Sequence, residues 1–331
     1  MSPVDYTFAN RPVGGRRDPS PANGPMLRLA DFVDAGTLPQ RPAATDDTAG
    51  VAFALDDNDS VGDCVPTGFD NFRRIITRLL TGTEVDTSLA QVIAWYVTQN
   101  PGFDINGTAD TNGPGSSHDN GMDMQVFLTL LVKTGVILGF ASVDPKNDAL
   151  VQTALWLFVA VYLGGTLQTA QQSQSDAGYW DYVANSGTWG GHCFVGAGYD
   201  AAGNMQMVTW KELIRATAAW RAHCLDEAFV VILKEHVADP GFRAGFDLPK
   251  FAAAYTAITG RPFPVAVTPT PTPTPVPPTP APPSFLGPLV AAVQSAKADP
   301  LVADFIAHPG LTKRPRAAAA HLAAILNQPL S

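Results

Sequence analysis

A helical repeat of apolar residues that begins after residue 63 is the clearest pattern in the chain. Its members recur at intervals of three and four: Val65, Phe69, Phe72, Ile76 and Leu79. This spacing predicts an amphipathic helix over 64–80, with Asp63 placed to cap it and Pro66 in the first turn, where a missing N–H is tolerated. Similar spacing predicts further helices over 88–99 and 122–133.

From residue 149 onwards the pattern changes to short apolar runs that favour strands. The run ALVQTALWLFVAVYLGGT predicts a core helix that leads into a buried strand. The runs HCFVGAGYD, NMQMVTW and DEAFVVIL predict three further strands. Helices in the first half and strands in the second predict an α+β fold whose two halves face each other.

Composition divides the chain into four segments. Residues 1–50 are rich in Pro, Gly and Asp and predict an extended N-terminal arm on the surface, with one short ordered piece around MLRLADFV. Residues 51–263 carry the strong patterns and form the main domain. Residues 264–283 form a Pro/Thr-rich linker, in which TPTPTPTPVPPTPAPP predicts a stiff polyproline II spacer. Residues 284–331 return to helical spacing and predict a small helical module.

Charge and hydropathy exclude several classes of function. The 331 residues carry a net charge of −9 and are 46% hydrophobic, which suits a large core but provides no basic face for nucleic acid. The run from Ala149 has only about 10–14 strongly apolar residues, too few for a membrane span. The first residues lack the apolar region of a signal peptide, so a cytoplasmic or virion-associated location is expected rather than secretion.

Two residues stand out as candidate reactive groups. The segment NDSVGDC places Cys64 at the start of the predicted helix, where the positive end of the helix dipole stabilises a thiolate. Gly62 allows a sharp turn there and leaves room for a substrate carbonyl. His192 opens a predicted strand after Gly190 and Gly191, which permit close approach of another backbone. A cysteine and a histidine in these positions indicate a thiol nucleophile and its general base.

Three segments together resemble the papain-like cysteine peptidases. NDSVGDC is similar to the family's nucleophile segment, with Asn58 six residues before Cys64 where the family has Gln. GGHCFVGAGYD is similar to the family's histidine strand, and VTW places Trp210 like the Trp that shields the histidine. The Cys-to-His spacing agrees with the family's ~130 residues. The resemblance covers about residues 50–236, and the same segments are associated with uncharacterised bacterial and phage proteins of this type.

The resemblance implies a two-lobed papain-like fold, with a helical lobe carrying Cys64 and an antiparallel β lobe carrying His192. Cys64 would be the nucleophile and His192 the general base and then acid. Asn58 and the Cys64 backbone N–H would form the oxyanion hole. The family's orienting Asn is missing, and Thr209 takes its place if one residue is deleted. The residues expected to line the substrate cleft are Gly62, Gly191, Trp189 and Trp210.

The leading hypothesis is therefore hydrolysis of peptide bonds in a peptide or protein substrate, with no cofactor and no metal. The missing Asn and the lack of a recognisable inhibitory propeptide leave other functions open. One is a catalytically weak or inactive papain-like scaffold with a structural or binding role, and another is a peptidoglycan hydrolase. A protein partner that binds through residues 284–331 is also expected.

The remaining thiols and histidines receive structural interpretations. Cys193 points to the strand face opposite His192 and is expected in the core. His223 and Cys224 have no further ligands at zinc spacing. His118 and Asp119 lie in the loop NGPGSSHDNG, for which a solvated position is expected and a position lining the cleft is the alternative. With three cysteines no full disulfide framework forms, and reduced thiols are expected.

Overall fold

The computed structural model describes residues 11, 13–19, 26–34, 38 and 40–267. These residues belong to a compact unit that extends from Met1 to Pro269. The predicted helical module at 284–331, and the predicted linker beyond residue 267, lie outside the described residues. No helix in the described ranges is long and apolar enough to span a bilayer.

The first half of the main domain is mostly helical, as its apolar spacing predicts. Its elements are β1 (Thr45–Asp46), α1 (Cys64–Thr81), α2 (Leu89–Tyr96), α3 (Met124–Lys133) and β2 (Gly139–Ser142). Side chains of Ser88 and Asp123 cap α2 and α3 by accepting backbone N–H groups. The expected cap at Asp63 is wrong, because its side chain accepts no N–H from the first turn of α1. Its carboxylate is instead held by Asn58.

The second half alternates strands with short helices. Its elements are α4 (Asp148–Phe158), β3 (Val161–Gln168), α5 (Gln171–Asp176), β4 (Tyr179–Trp180), β5 (Thr188–Tyr199), β6 (Met205–Thr209), β7 (Glu212–Ala216), α6 (Ala218–Cys224), β8 (Leu225–Ile232), α7 (Lys234–Ala238), α8 (Pro240–Gly245) and α9 (Leu248–Thr259). The apolar run from Ala149 forms helix α4 and, directly after it, strand β3. The three predicted strands are β5, β6 and β8, so the α+β class is confirmed.

The strands form one sheet in the order β2-β8-β3-β5-β6-β7-β4, and β1 pairs with β5. All pairs are antiparallel except β4 with β7. Successive residues of β5 enter two different cores, because side chains alternate across a strand. Cys193 and Val195 pack with α1 and α3, whereas Phe194 packs with α4 and the last helices. Burial on both faces explains the continuous apolar character of β5.

Helix α1 packs closely on the centre of this sheet. Gly68 makes the close approach feasible, since a Cβ there would lie 3.1 Å from Cys193 Sγ and 3.2 Å from the Tyr162 ring. The Tyr162 hydroxyl donates a hydrogen bond to the Val65 carbonyl. These contacts fix the N-terminal end of α1 against β3 and β5.

The N-terminal arm differs from its predicted position on the surface. Gly15 and Arg16 are buried, and the arm runs between the helical part and the sheet. Arg16 pairs with Met122 in a parallel bridge. The ordered piece predicted around MLRLADFV is a 3-10 turn at Leu29–Asp31, which buries Leu29 and Phe32. Gly15 and Arg16 look solvated in sequence, but in the folded chain both are buried.

Replacing Phe69 by alanine should strongly destabilise the helical part. The ring is fully buried and lies 5.7 Å from Trp95 and 5.9 Å from Phe127, centroid to centroid. We expect Phe69→Ala to lower the free energy of unfolding by about 3–5 kcal/mol in urea titrations. Leu79→Ala is the matched control, because that side chain on the same helix is 51% exposed. Its effect should stay within about 0.5 kcal/mol, and equal losses in the two variants would contradict the packing described.

Candidate thiol site

The turn before α1 is built around the side chain of Asn58. Its Nδ2 donates to the Val61 carbonyl at 3.1 Å and to Asp63 Oδ1 at 3.0 Å. Both amide hydrogens of Asn58 are therefore used within the turn. Burial raises the pKa of Asp63 well above its usual range, against the opposing hydrogen bond from Asn58. Asn58 thus shapes the loop that delivers Cys64 to the first position of α1.

Asp119 holds the same turn from the other side. Its Oδ1 accepts the Gly62 N–H at 2.9 Å and the Tyr96 hydroxyl at 2.5 Å, while Oδ2 accepts the Gly115 N–H at 2.8 Å. The expectation of a solvated Asp119 is therefore wrong. The DNG sequence signals a turn, but only the folded chain brings that turn, 57 residues away, to Gly62. The neighbouring His118 contacts the Pro101 carbonyl.

His192 is held by a hydroxyl and an indole. Its Nε2 lies 2.6 Å from Thr209 Oγ1, and its ring stacks on Trp210 at 4.1 Å between centroids. Trp210 sits at φ 47° in the two-residue turn between β6 and β7, and Trp189 lies 5.6 Å from it. Thr209, Trp210 and Trp189 therefore gather around the imidazole as one cluster.

Cys64 meets β5 at the residue after His192. The backbone N–H of Cys193 donates to Cys64 Sγ at 3.3 Å. Within the described part of the chain, His192 Nδ1 is buried without a hydrogen-bond partner. The structure therefore places the sulfur beside the histidine strand, but Cys64 and His192 do not form the direct hydrogen bond that a nucleophile and its base need.

The arm residues 13–17 cover this site. The Gly14 N–H donates to the Gly191 carbonyl at 2.7 Å, and the Met122 N–H donates to the Gly15 carbonyl at 2.8 Å. A Cβ on Gly15 would lie 2.5 Å from the Gly62 carbonyl oxygen and 2.8 Å from Cys64 Sγ. Only glycine therefore fits over the thiol. Gly62 and Gly191, both predicted to bind substrate, here contact the chain's own arm.

Burial under the arm decides the charge state of the pair. It raises the pKa of Cys64 to about 12, with a further rise from Asp63, although the Cys193 N–H opposes the shift. Burial also lowers the pKa of His192 to about 3, with Arg16 and Arg11 adding to the effect. Both groups are therefore neutral at pH 7. The thiolate expected from the helix dipole is wrong for this covered state, since desolvation outweighs the dipole.

The remaining cysteines and His223 have packing contacts in the structure. Cys193 is buried in the core as expected, and the three cysteines are free thiols. His223 stacks on Tyr182 at 3.9 Å. Across the described ranges no group of three or more His, Cys, Asp or Glu side chains is arranged to hold a metal ion.

A cysteine-bearing helix packed against a histidine-bearing antiparallel sheet is the papain-like arrangement that the sequence predicts. The chain is similar in structure to three solved cysteine proteases at 11–12% sequence identity. Xylellain, a cysteine protease from Xylella fastidiosa, aligns with a TM-score of 0.44 at 12% identity, covering 67% of this chain and 97% of its own. The digestive procathepsin L2 proteinase from Tenebrio molitor larval midgut gives 0.46 at 11% identity, with coverages of 70% and 81%.

A cysteine protease of Carica candamarcensis aligns with a TM-score of 0.36 at 12% identity, covering 58% of this chain and 99% of its own. No family model matches the sequence, and no curated protein matches it either. Identities and TM-scores this low carry nothing about activity, which depends on the side chains described above.

Replacing Gly15 by alanine should uncover the thiol. The added methyl meets backbone oxygen and sulfur, so the arm has to move. We expect iodoacetamide to label Cys64 in Gly15→Ala about tenfold faster than in the parent, as followed by mass spectrometry, because the thiol regains solvent. Pro19→Ala, at the exposed end of the same segment, should leave the rate unchanged. An unaltered rate in Gly15→Ala would show that the arm does not control access.

Proposed function

We propose that this chain is a papain-like thiol hydrolase that cleaves peptide bonds, with Cys64 as nucleophile and His192 as general base. The observation that supports it best is the contact between Cys64 Sγ and the Cys193 N–H, because it brings the sulfur to the residue beside His192. The buried, unpartnered Nδ1 of His192, within the described ranges, is the atom left to receive a proton.

The chemistry begins when the arm leaves the cleft. Nδ1 of His192 takes the proton of Cys64, and the thiolate sulfur forms a bond to the substrate carbonyl carbon. The imidazolium then returns the proton to the leaving amine as the peptide C–N bond breaks. Water, deprotonated by His192, hydrolyses the thioester and restores the thiol. The 2.6 Å contact between His192 Nε2 and Thr209 Oγ1 suits the tautomer in which Nε2–H donates to the hydroxyl, which leaves Nδ1 of the neutral ring as the acceptor.

The oxyanion of the tetrahedral intermediate needs N–H donors. Cys64 is the first residue of α1, and the first N–H groups of a helix have no intrahelical acceptor. We assign the first donor to the Cys64 N–H. Asn58 serves as the second donor when it exchanges its bond to Asp63 or to Val61 for the substrate oxygen. In the covered state Asn58 positions the turn.

The covered thiol also favours a second candidate, a papain-like scaffold without turnover. A Cys64 pKa of about 12 and a His192 pKa of about 3 describe an unreactive pair as long as the arm stays in place. The two functions differ in whether the arm ever leaves, so the decisive assays use the Gly15→Ala chain.

Removing the sulfur should abolish turnover. In the Gly15→Ala chain, Cys64→Ala should lower the cleavage of a fluorogenic peptide library by at least about three orders of magnitude, because no nucleophile remains. Cys224→Ala, which removes another buried thiol on α6, should retain cleavage. Cleavage by Cys64→Ala at the parental rate would refute the assignment. If a separate iodoacetamide assay shows that Cys64 is accessible and the unlabelled chain still cleaves no peptide, the scaffold is favoured.

Thr209 should act through the imidazole. Thr209→Val removes the acceptor for Nε2–H, so the imidazolium is less stable and the pKa of His192 falls. We expect kcat/KM to drop about tenfold or more and the acidic limb of the pH–rate profile, where the general base becomes protonated, to move to lower pH. Thr209→Ser keeps the hydroxyl and should retain the parental profile. Superimposable profiles for the valine and serine variants would rule out an orienting role.

A further inference from the structure

The arm inserts a guanidinium into an acidic pocket beside the thiol. The side chain of Arg16 is fully buried, with Nη1 3.0 Å from Glu227 Oε2 and Nη2 3.0 Å from Asp226 Oδ2. Nη2 also donates to Thr166 Oγ1 at 3.4 Å and to Asp18 Oδ1, in the arm itself, at 3.4 Å. One planar cation thus bridges two carboxylates of β8, a geometry that arginine satisfies and lysine does not.

Two glycines provide the space for this side chain. A Cβ on Gly164 of β3 would lie 2.6 Å from Arg16 Cδ and 3.2 Å from Glu227 Oε2. A Cβ on Gly191 of β5 would lie 2.5 Å from the Arg16 carbonyl oxygen and 3.6 Å from Nε. The two glycines therefore leave room for the aliphatic part of the arginine side chain, and the two carboxylates bind its guanidinium group.

The pocket belongs to the cleft of the candidate nucleophile. Arg16 directly follows Gly15, the residue that lies on Cys64 Sγ. Asp226 is 35% exposed, so one edge of the acidic pocket is open to solvent. If the arm leaves, two adjacent carboxylates lose their cation, with Asp123 adding to the negative charge around Glu227. Buried carboxylates without a counter-ion are costly, so the vacated pocket favours a new cation.

We propose that Asp226, Glu227, Thr166 and Gly164 form a guanidinium-binding pocket that selects arginine in the substrate, and that Arg16 is its resting occupant. The proposal deepens the proposed peptidase function, and it depends on that function only in taking the bound arginine to be part of a substrate. Binding of a guanidinium by the vacated pocket needs no catalysis and can be measured by itself.

The first experiment measures binding in the full chain. Arg16→Ala empties the pocket, and N-acetyl-arginine amide is titrated into it by calorimetry at several pH values from about 7 to 9, because burial raises the pKa of Glu227 and the variant lacks the Arg16 cation that lowers it. We expect saturable binding of this amide and at least about tenfold weaker binding of its neutral citrulline analogue. The parent and Arg78→Ala, which removes an exposed arginine near the end of α1, should not bind, since Arg16 fills the pocket.

Two further variants separate charge from shape. In the Arg16→Ala chain, Glu227→Gln removes one charge with little change of size, and Gly164→Ala fills space that the arginine side chain needs. Both should abolish binding while circular dichroism and thermal unfolding report an intact fold. Absence of binding in a folded Arg16→Ala chain, or equal binding of the arginine and citrulline compounds, would overturn the pocket.

The second experiment measures cleavage. A Gly15→Ala/Arg16→Ala chain, with access to Cys64 verified by iodoacetamide labelling, is given paired peptides that differ only in arginine or citrulline. We expect kcat/KM to be at least about tenfold higher for arginine, with the preference lost in Glu227→Gln. Equal cleavage of both peptides overturns the pocket and leaves the peptidase standing. Binding of the arginine compound without cleavage of either peptide supports the pocket and refutes the peptidase.

Discussion

The contact between the start of α1 and the middle of β5 is the constraint on which the rest of the structure depends. Cys64 reaches the Cys193 N–H because Gly68 lets the helix approach the sheet and Tyr162 ties its first turn to β3. Everything that makes the site, from the Asn58 turn to the Thr209 hydroxyl, is arranged around this contact. A side chain at residue 68 would press on Cys193 and Tyr162 and oppose this close approach.

Desolvation, rather than the helix dipole, sets the chemistry of the covered site. The dipole contributes at most about 2 kcal/mol, whereas burial moves the pKa of Cys64 to about 12 and that of His192 to about 3. Because burial is the main cause of both shifts, we expect water in the cleft to bring both pKa values back toward their usual range. In the proposed enzyme, the arm would therefore keep Cys64 and His192 neutral by covering them.

The sequence was sufficient where structure follows from local pattern. The spacing from Val65 to Leu79 predicts α1, and the run after Ala149 predicts α4 and β3. The resemblance to the papain-like peptidases, rather than local pattern, predicted that Thr209 and Trp210 lie beside His192. Arg16 and Glu227 are 211 residues apart, so no local pattern links them, and a Gly- and Arg-rich segment looks solvated until its groove is seen. The pKa values of Cys64 and His192 could not be predicted, because burial is a property of the folded chain.

Trp210 has a consequence for the charged intermediate of the proposed reaction. The indole lies flat against His192 at 4.1 Å, held there by a turn whose backbone is left-handed at φ 47°. When the imidazole is neutral, the stacking is ordinary packing. Once the ring carries a proton, the electron-rich face of the indole attracts the cation, an interaction that contributes about 0.5–2 kcal/mol. The indole of Trp210 would thus stabilise the His192 imidazolium, as a carboxylate does in other histidine-dependent enzymes.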